Sequence, residues 1–242
     1  MKRLKSLAFM VWLYGSMAVI GVTLAPFAVF NRKAVLVALR VWAKATLFGL
    51  RWIIGARVRF EGLEHAPTGP ALVASKHQSM LDTLVPGMLL KDAAIVYKEE
   101  LQREIIFGWF IQRGEMVPVA RDEGATALKR LLRAAKKAIA DGRQIFIFPE
   151  GTRTAIGAAG DYKPGVAALY MALRLPCTPV ALSTGLIWPA RGVDRSPGEA
   201  VIRFLPPIPA GLSREDFMRE LETRIERESQ ALLPAELRRA AS

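Results

Sequence analysis

Cysteine and histidine are nearly absent from this chain, with one Cys and two His in 242 residues. The lone Cys177 excludes an internal disulfide and a multi-cysteine zinc site, and no other cluster of metal-ligand type is visible. Leu175, Pro176, Thr178 and Pro179 around it offer no base, so Cys177 reads as a small buried filler. With two histidines, an imidazole base has little competition. Acidic residues are also scarce: 22 Asp and Glu face 34 Lys and Arg, a net charge of +12. That excess favours acidic partners such as anionic lipid, a polyphosphate or an acidic carrier protein. Nucleic acid fits poorly, because the cations are not interleaved with aromatics or set in a recognised motif. There is no internal repeat and no Gly-x4-Gly-Lys-Ser/Thr phosphate loop.

Charge is missing altogether from Leu7 to Phe30, a run of 24 residues bracketed by Lys2, Arg3 and Lys5 on one side and Arg32 and Lys33 on the other. As a helix it would measure about 36 Å, enough to cross a hydrocarbon core of about 30 Å, and it exceeds the apolar stretch of a signal peptide. In a second helix, Lys33, Arg40, Lys44 and Arg51 fall within about 40° of one another on an otherwise apolar cylinder, which suits a membrane interface. Residues 1–56 are therefore expected to form a two-helix membrane anchor, its first helix spanning or lying deep. Cations at both ends leave its orientation unreadable from charge.

Residues 57–242 read as one α/β domain. Strand-like apolar runs at 71–74, 93–97, 116–119, 144–148, 178–183 and 200–204 alternate with helical patterns near 80–90, 101–111, 125–140, 164–173 and 214–232. This alternation predicts a mixed, largely parallel sheet flanked by helices. The strongest helix runs from Asp122 as N-cap to Gly142, with Leu128, Leu131, Leu132, Ala135 and Ile139 on one face and Lys129, Arg130, Arg133, Lys136 and Lys137 on the other.

Two polar blocks interrupt this pattern. In the first, His77 precedes Asp82 by five residues, which a regular helix would point about 140° apart. They meet only if His77 lies on the loop and Asp82 in the first helical turn. Ser79 as N-cap, with Asp82 at the third helical position, gives that arrangement through a capping-box-like Ser-x-x-Asp. The pair then reads either as a base oriented by a carboxylate or as a surface histidine beside a helix cap. In the second block, the strand 144–148 is stopped by Pro149, and Glu150-Gly151-Thr152-Arg153 follows. Gly151 permits close backbone approach, Thr152 adds an amide and a hydroxyl, and Arg153 a planar charged fork, so the turn can hold a phosphate. Alone, it reads equally as an ordinary turn with a surface arginine. His65, beside Glu64 and Pro67, reads as surface structure.

Together these residues resemble the glycerolipid acyltransferases. His77-Gln-Ser-Met-Leu-Asp82 is similar to their His-x4-Asp motif, and Phe148-Pro-Glu-Gly-Thr-Arg153 to their Phe-Pro-Glu-Gly-Thr-Arg/Ser motif. Between them, Gly108–Arg113 resembles the second block and Tyr97–Leu101 the Lys-bearing segment before it; Thr178–Leu182 and Lys163-Pro-Gly165 resemble later blocks. The likeness covers roughly 60–204, and Met80 departs from it where many members carry Trp. It points to the 1-acyl-sn-glycerol-3-phosphate acyltransferase subgroup and implies transfer of a fatty acyl group, from acyl-CoA or acyl carrier protein, to the sn-2 hydroxyl of a membrane lysophospholipid, giving phosphatidic acid with no bound cofactor. The resemblance implies His77 as general base and Asp82 as its orienter. It implies Lys98, Arg153 and the amides of Gly151 and Thr152 as the phosphate site, with Arg113 and Arg121 as further candidates and Glu150 holding the loop. The expected place is the cytoplasmic face of the cell inner membrane. Competing expectations are another lysolipid acceptor such as a lyso-ornithine lipid, a thioesterase, and a non-catalytic membrane tether.

Overall fold

The computed structural model describes residues 1–120 and 124–239. Seven strands form one sheet in the order β1-β7-β6-β2-β5-β3-β4. They are β1 (Ala56–Glu61), β2 (Ala71–Ser75), β3 (Ala93–Lys98), β4 (Val117–Val119), β5 (Gln144–Ile147), β6 (Cys177–Leu182) and β7 (Gly198–Phe204). All neighbours pair in parallel except β6 and β7. The mixed, largely parallel sheet flanked by helices is as expected from the alternation, with β1 added. Its Arg57, Arg59 and Glu61 alternate with Ala56, Val58 and Phe60, the pattern of an edge strand with one wet face.

The central strands are buried on both faces, and period-two alternation sorts their side chains. Leu72, Ala74, Ile145 and Ile147 pack under α5 (Gly124–Ala140), α6 (Gly165–Leu173) and α7 (Arg214–Ala231), which contribute Leu131, Val166, Tyr170, Phe217 and Leu221. Val73, Phe146 and Val180 face the other way, towards Val85 of α3 (Val85–Leu89). The expected N-cap of α5, Asp122, lies outside the described residues. Cys177 is fully buried in the core, which pushes its thiol well above the ordinary range and removes it as a nucleophile.

The first two helices are α1 (Lys2–Phe30) and α2 (Lys33–Gly49), followed by a π-helical turn at Leu50–Ile54. Among the described residues, only α1 is long and apolar enough to cross a membrane: its mean hydropathy reaches 1.9, and 11% of that window is buried. The pair does not stand apart from the rest. Phe9, Leu13, Trp42 and Leu50 share a core with Leu81, Leu84, Trp188 and Ala200. The helix α1 is also fastened at both ends. Ser6 Oγ accepts from the Arg195 amide at 2.8 Å, and Arg113, on α4 (Ile105–Arg113), donates to the carbonyls of Ala28 and Val29. Of the basic stripe, Lys33 and Lys44 on α2 and Arg51 in the turn after it are exposed, whereas Arg40 turns inward and donates to the carbonyls of Gly87, Leu90 and Lys91.

A charge clamp joins the α1–α2 corner to the sheet. Arg32 makes a two-pronged contact with Asp92 at 2.9 and 2.6 Å, and buried Arg143 reaches the same carboxylate at 3.0 Å. Partial burial works to raise the Asp92 carboxyl, but the two guanidinium groups outweigh it and hold it below its ordinary value. A lowered carboxyl stabilises the fold fully above its ordinary 3.8, and that contribution is lost as pH falls through the still lower folded value. Asp92→Asn is therefore expected to cost about 1–2 kcal/mol at neutral pH, solvent screening of the partly exposed pair keeping it below the cost of breaking a buried one, with the deficit vanishing in strong acid. Thermal unfolding of both proteins across pH checks this; a pH-independent difference refutes it.

Candidate active site

Strand β2 ends at Ser75, and the chain leaves the sheet through Lys76 and His77 before a 3-10 turn at Met80–Thr83. Ser79 is the N-cap of that turn, and with Asp82 at the third position it forms a capping box. The turn thereby brings His77 Nδ1 to 3.1 Å from Asp82 Oδ2, and the helical separation that would part them does not arise. Asp82 is fully buried, and its carboxylate is saturated. Besides His77, Oδ2 accepts the amides of Gln78 at 2.6 Å and Ser79 at 2.8 Å, while Oδ1 accepts the hydroxyls of Ser79 at 3.0 Å and Thr184 at 2.6 Å. Such an acceptor selects the tautomer with the proton on Nδ1, which leaves the ring's lone pair on Nε2. The His77 ring stacks on Phe148 with centroids 4.0 Å apart, which restrains its remaining rotation.

Phe148 begins the second block, so the two blocks meet in space, and main-chain bonds hold them together. Thr154 donates its amide (2.8 Å) and hydroxyl (3.1 Å) to the His77 carbonyl, and the His77 amide donates to Glu150 Oε2 at 3.2 Å. Glu150, expected to hold the loop, is buried and also bonds Lys76 Nζ at 2.7 Å. Gly160 passes so close that a β-carbon there would overlap the Glu150 side chain. Lys76, itself buried, is gripped from its other side by Glu226 of α7 at 2.7 Å, and Glu226 accepts from Tyr162 Oη at 3.0 Å. Burial pushes the Glu150 carboxyl up, and the Lys76 ammonium acts against it.

The expected phosphate ligands fall into separate places. Lys98 and Gly151 line the same cavity as His77, with Lys98 exposed and paired to Glu100 at 3.1 Å. Gly151 adopts φ +67°, and its amide donates to the Phe148 carbonyl at 3.0 Å, closing the turn. The positive φ is one that glycine adopts without strain, and the amide is engaged inside the turn. Thr152 and Arg153 are exposed, and Arg153 reaches the Ala190 carbonyl at 3.4 Å. The Arg113 guanidinium donates to a carbonyl at the carboxyl end of α1. Arg121 lies outside the described residues. Sequence reasoning missed Lys76, Tyr162, Thr184 and Glu226. Only Lys76, next to the histidine, had any local signal.

His77 opens onto a cavity of about 1030 Å³, at the upper end of the ligand-pocket range. Its wall is mostly apolar and includes Met17 and Ile20 of α1, Trp42 of α2, Phe110 of α4 and Leu131 of α5. Fold and pair together define the class: an α/β enzyme whose histidine–carboxylate couple sits at the edge of a cavity wide enough for an alkyl chain. The chain belongs to the acyltransferase family, whose model matches residues 57–183. It is 30% identical to a 1-acyl-sn-glycerol-3-phosphate acyltransferase of Pseudomonas aeruginosa over 76% of this chain and 72% of that one. The 1-acyl-sn-glycerol-3-phosphate acyltransferase alpha of Mus musculus is 29% identical over 70% of this chain and 61% of its own, so the chain spans about three fifths of that relative. The crystal structure of the 1-acyl-sn-glycerophosphate acyltransferase PlsC from Thermotoga maritima superposes with a TM-score of 0.77 at 22% identity, covering 96% of this chain and 99% of that one, a likeness of fold.

The buried ammonium makes a direct prediction. Lys76→Met leaves Glu150 and Glu226 without their cation and is expected to cost on the order of 3 kcal/mol at neutral pH. The carboxyls are then raised in the folded state, a penalty absent below their ordinary values and growing as pH rises, so the deficit shrinks in mild acid. Denaturation at two pH values reads this out, and equal stability to the parent at neutral pH would contradict it.

Proposed function

We propose that the protein transfers a fatty acyl group from acyl-CoA or acyl carrier protein to the free sn-2 hydroxyl of 1-acylglycerol 3-phosphate, giving phosphatidic acid. The observation that carries this reading is the His77–Asp82 pair beside the apolar cavity, in a chain of the acyltransferase family. His77 Nε2 takes the hydroxyl proton as the alcohol oxygen attacks the thioester carbonyl. The tetrahedral adduct collapses with cleavage of the C–S bond, and the proton returns from the imidazolium to the leaving thiolate. Asp82 stabilises the imidazolium between these steps, as the carboxylate does in a hydrolase triad. A thioester is already activated, so no acyl-enzyme is required. Lys98, Arg153 and the Thr152 amide are assigned to the acceptor's phosphate.

The two N-terminal helices are assigned to the membrane. With Ser6 and Val29 both tied to the domain, α1 runs along the protein for about 35 Å. Leu4, Leu7, Val11, Val22, Phe27 and Phe30 of α1 and Phe48 and Trp52 beyond it are left exposed. That geometry favours a helix sunk lengthwise into one leaflet over one that crosses. Since Met17, Ile20 and Trp42 also line the cavity, a lysolipid reaches His77 without its chain leaving an apolar medium.

His77→Ala is expected to lower turnover by about 10²–10⁴-fold while leaving vesicle binding intact; near-normal turnover removes the base assignment. Arg153→Ala is expected to raise the acceptor KM by about tenfold, the value of one charged hydrogen bond; unchanged KM and kcat refute a phosphate role. Cysteines placed singly at positions 4 and 30 and probed with an impermeant thiol reagent are expected to label from one side of a vesicle, with buried Cys177 giving little background. Labelling from opposite sides would establish a spanning helix.

A further inference from the structure

Asp82 carries more donors than a cap or an orienter needs, and one of them comes from far along the chain. Thr184 is fully buried, 102 residues away in sequence, and its hydroxyl donates to Asp82 Oδ1 at 2.6 Å. This hydroxyl is held in place by its own surroundings. Ser183, just past the end of β6, exchanges two bonds with Val201 of β7, its amide donating to the Val201 carbonyl at 3.0 Å and its Oγ accepting the Val201 amide at 3.0 Å. The Thr184 carbonyl accepts the amides of Ile187 at 3.2 Å and Trp188 at 2.9 Å. One residue on, the Gly185 amide donates to Gln78 Oε1 at 3.1 Å, and Gln78 in turn gives its own amide to Asp82. The segment 183–188 is thus a rigid strut from the β6–β7 pair onto the back of the His77–Asp82 loop.

The two carboxylate oxygens divide the work. Oδ2 meets His77, while the contacts on Oδ1 set the plane of the group and so the direction in which Oδ2 points. Among the described residues, Ser79 and Thr184 alone hold Oδ1. Ser79 Oγ moves with the turn it caps, since it also accepts the Leu81 amide at 3.1 Å, whereas Thr184 is anchored to the sheet. We propose that Thr184 is a positioning residue for the His77–Asp82 pair, holding the carboxylate in the plane that meets the imidazole. The proposal rests on the reading of His77 as the base. It has an electrostatic consequence as well. A carboxylate turned out of that plane stabilises the imidazolium less, so loss of the hydroxyl is expected to let His77 release its proton at lower pH.

The test compares the full chain with Thr184→Val, Thr184→Ser and His77→Ala in lipid vesicles, using an acyl-CoA and 1-acylglycerol 3-phosphate across about pH 5 to 9. Thr184→Val is expected to lower kcat about tenfold, as loss of one hydrogen bond to a charged group does, with both KM values within about twofold. The acid limb of its rate profile is expected to move to lower pH by about half a unit, and Thr184→Ser to restore both kcat and limb. A Val variant with the parent's kcat and acid limb, while His77→Ala is inactive, overturns the role of Thr184 and leaves the base standing. An active His77→Ala overturns the underlying reading instead. Should Thr184→Val not fold, Thr184→Ala, which removes the same hydroxyl with less bulk, carries the same expectations and the same refutation.

Discussion

A carboxylate with no access to water organises this molecule. Asp82 is stable inside the protein only because amides, hydroxyls and an imidazole from two distant stretches of chain converge on its two oxygens. Those donors must arrive together, which requires the end of β2, the turn after it and the exit from β6 to be packed first. The sheet order places β2 beside β6, so the strut from β6 reaches the turn across a single strand spacing. The usual site of chemistry in α/β sheets is the carboxyl ends of adjacent strands, and this pair occupies it.

Behind the histidine lies a second buried polar cluster built on the opposite principle. Asp82 is neutralised by dipoles, whereas Lys76 is neutralised by whole charges, Glu150 from the second block and Glu226 from α7. The two clusters grip His77 differently. Asp82 sets the ring through its side chain, while Glu150 and Thr154 hold both of its peptide groups. A side chain held by ring and backbone has little freedom left to lose, which is what preorganisation for proton transfer would demand of the proposed base.

Local signals were readable in the chain and long-range ones were not. The Ser-x-x-Asp box foretold the turn that joins His77 to Asp82, because capping is decided within four residues. The alternation of apolar runs and helical patterns foretold the layered sheet, since burial of both faces leaves a compositional mark. Strand β1 escaped because its charges at 57, 59 and 61 hide an edge strand from a search for apolar runs. Arg113 looked available for a phosphate because its true partners, Ala28 and Val29, offer only carbonyls, which have no side-chain signature. Thr184 and Glu226 lie 102 and 150 residues from their partners, beyond the reach of any spacing rule.

The position of Glu226 in the chain has a temporal consequence. A ribosome delivers α1 and the His77 loop well before the helix that grips Lys76. Until it docks, a buried ammonium has only one of its two counterions and the loop it braces lacks its rear support. The pair of helices at one end of the order is thus in place before the braced loop is complete, and the site closes only when α7 docks.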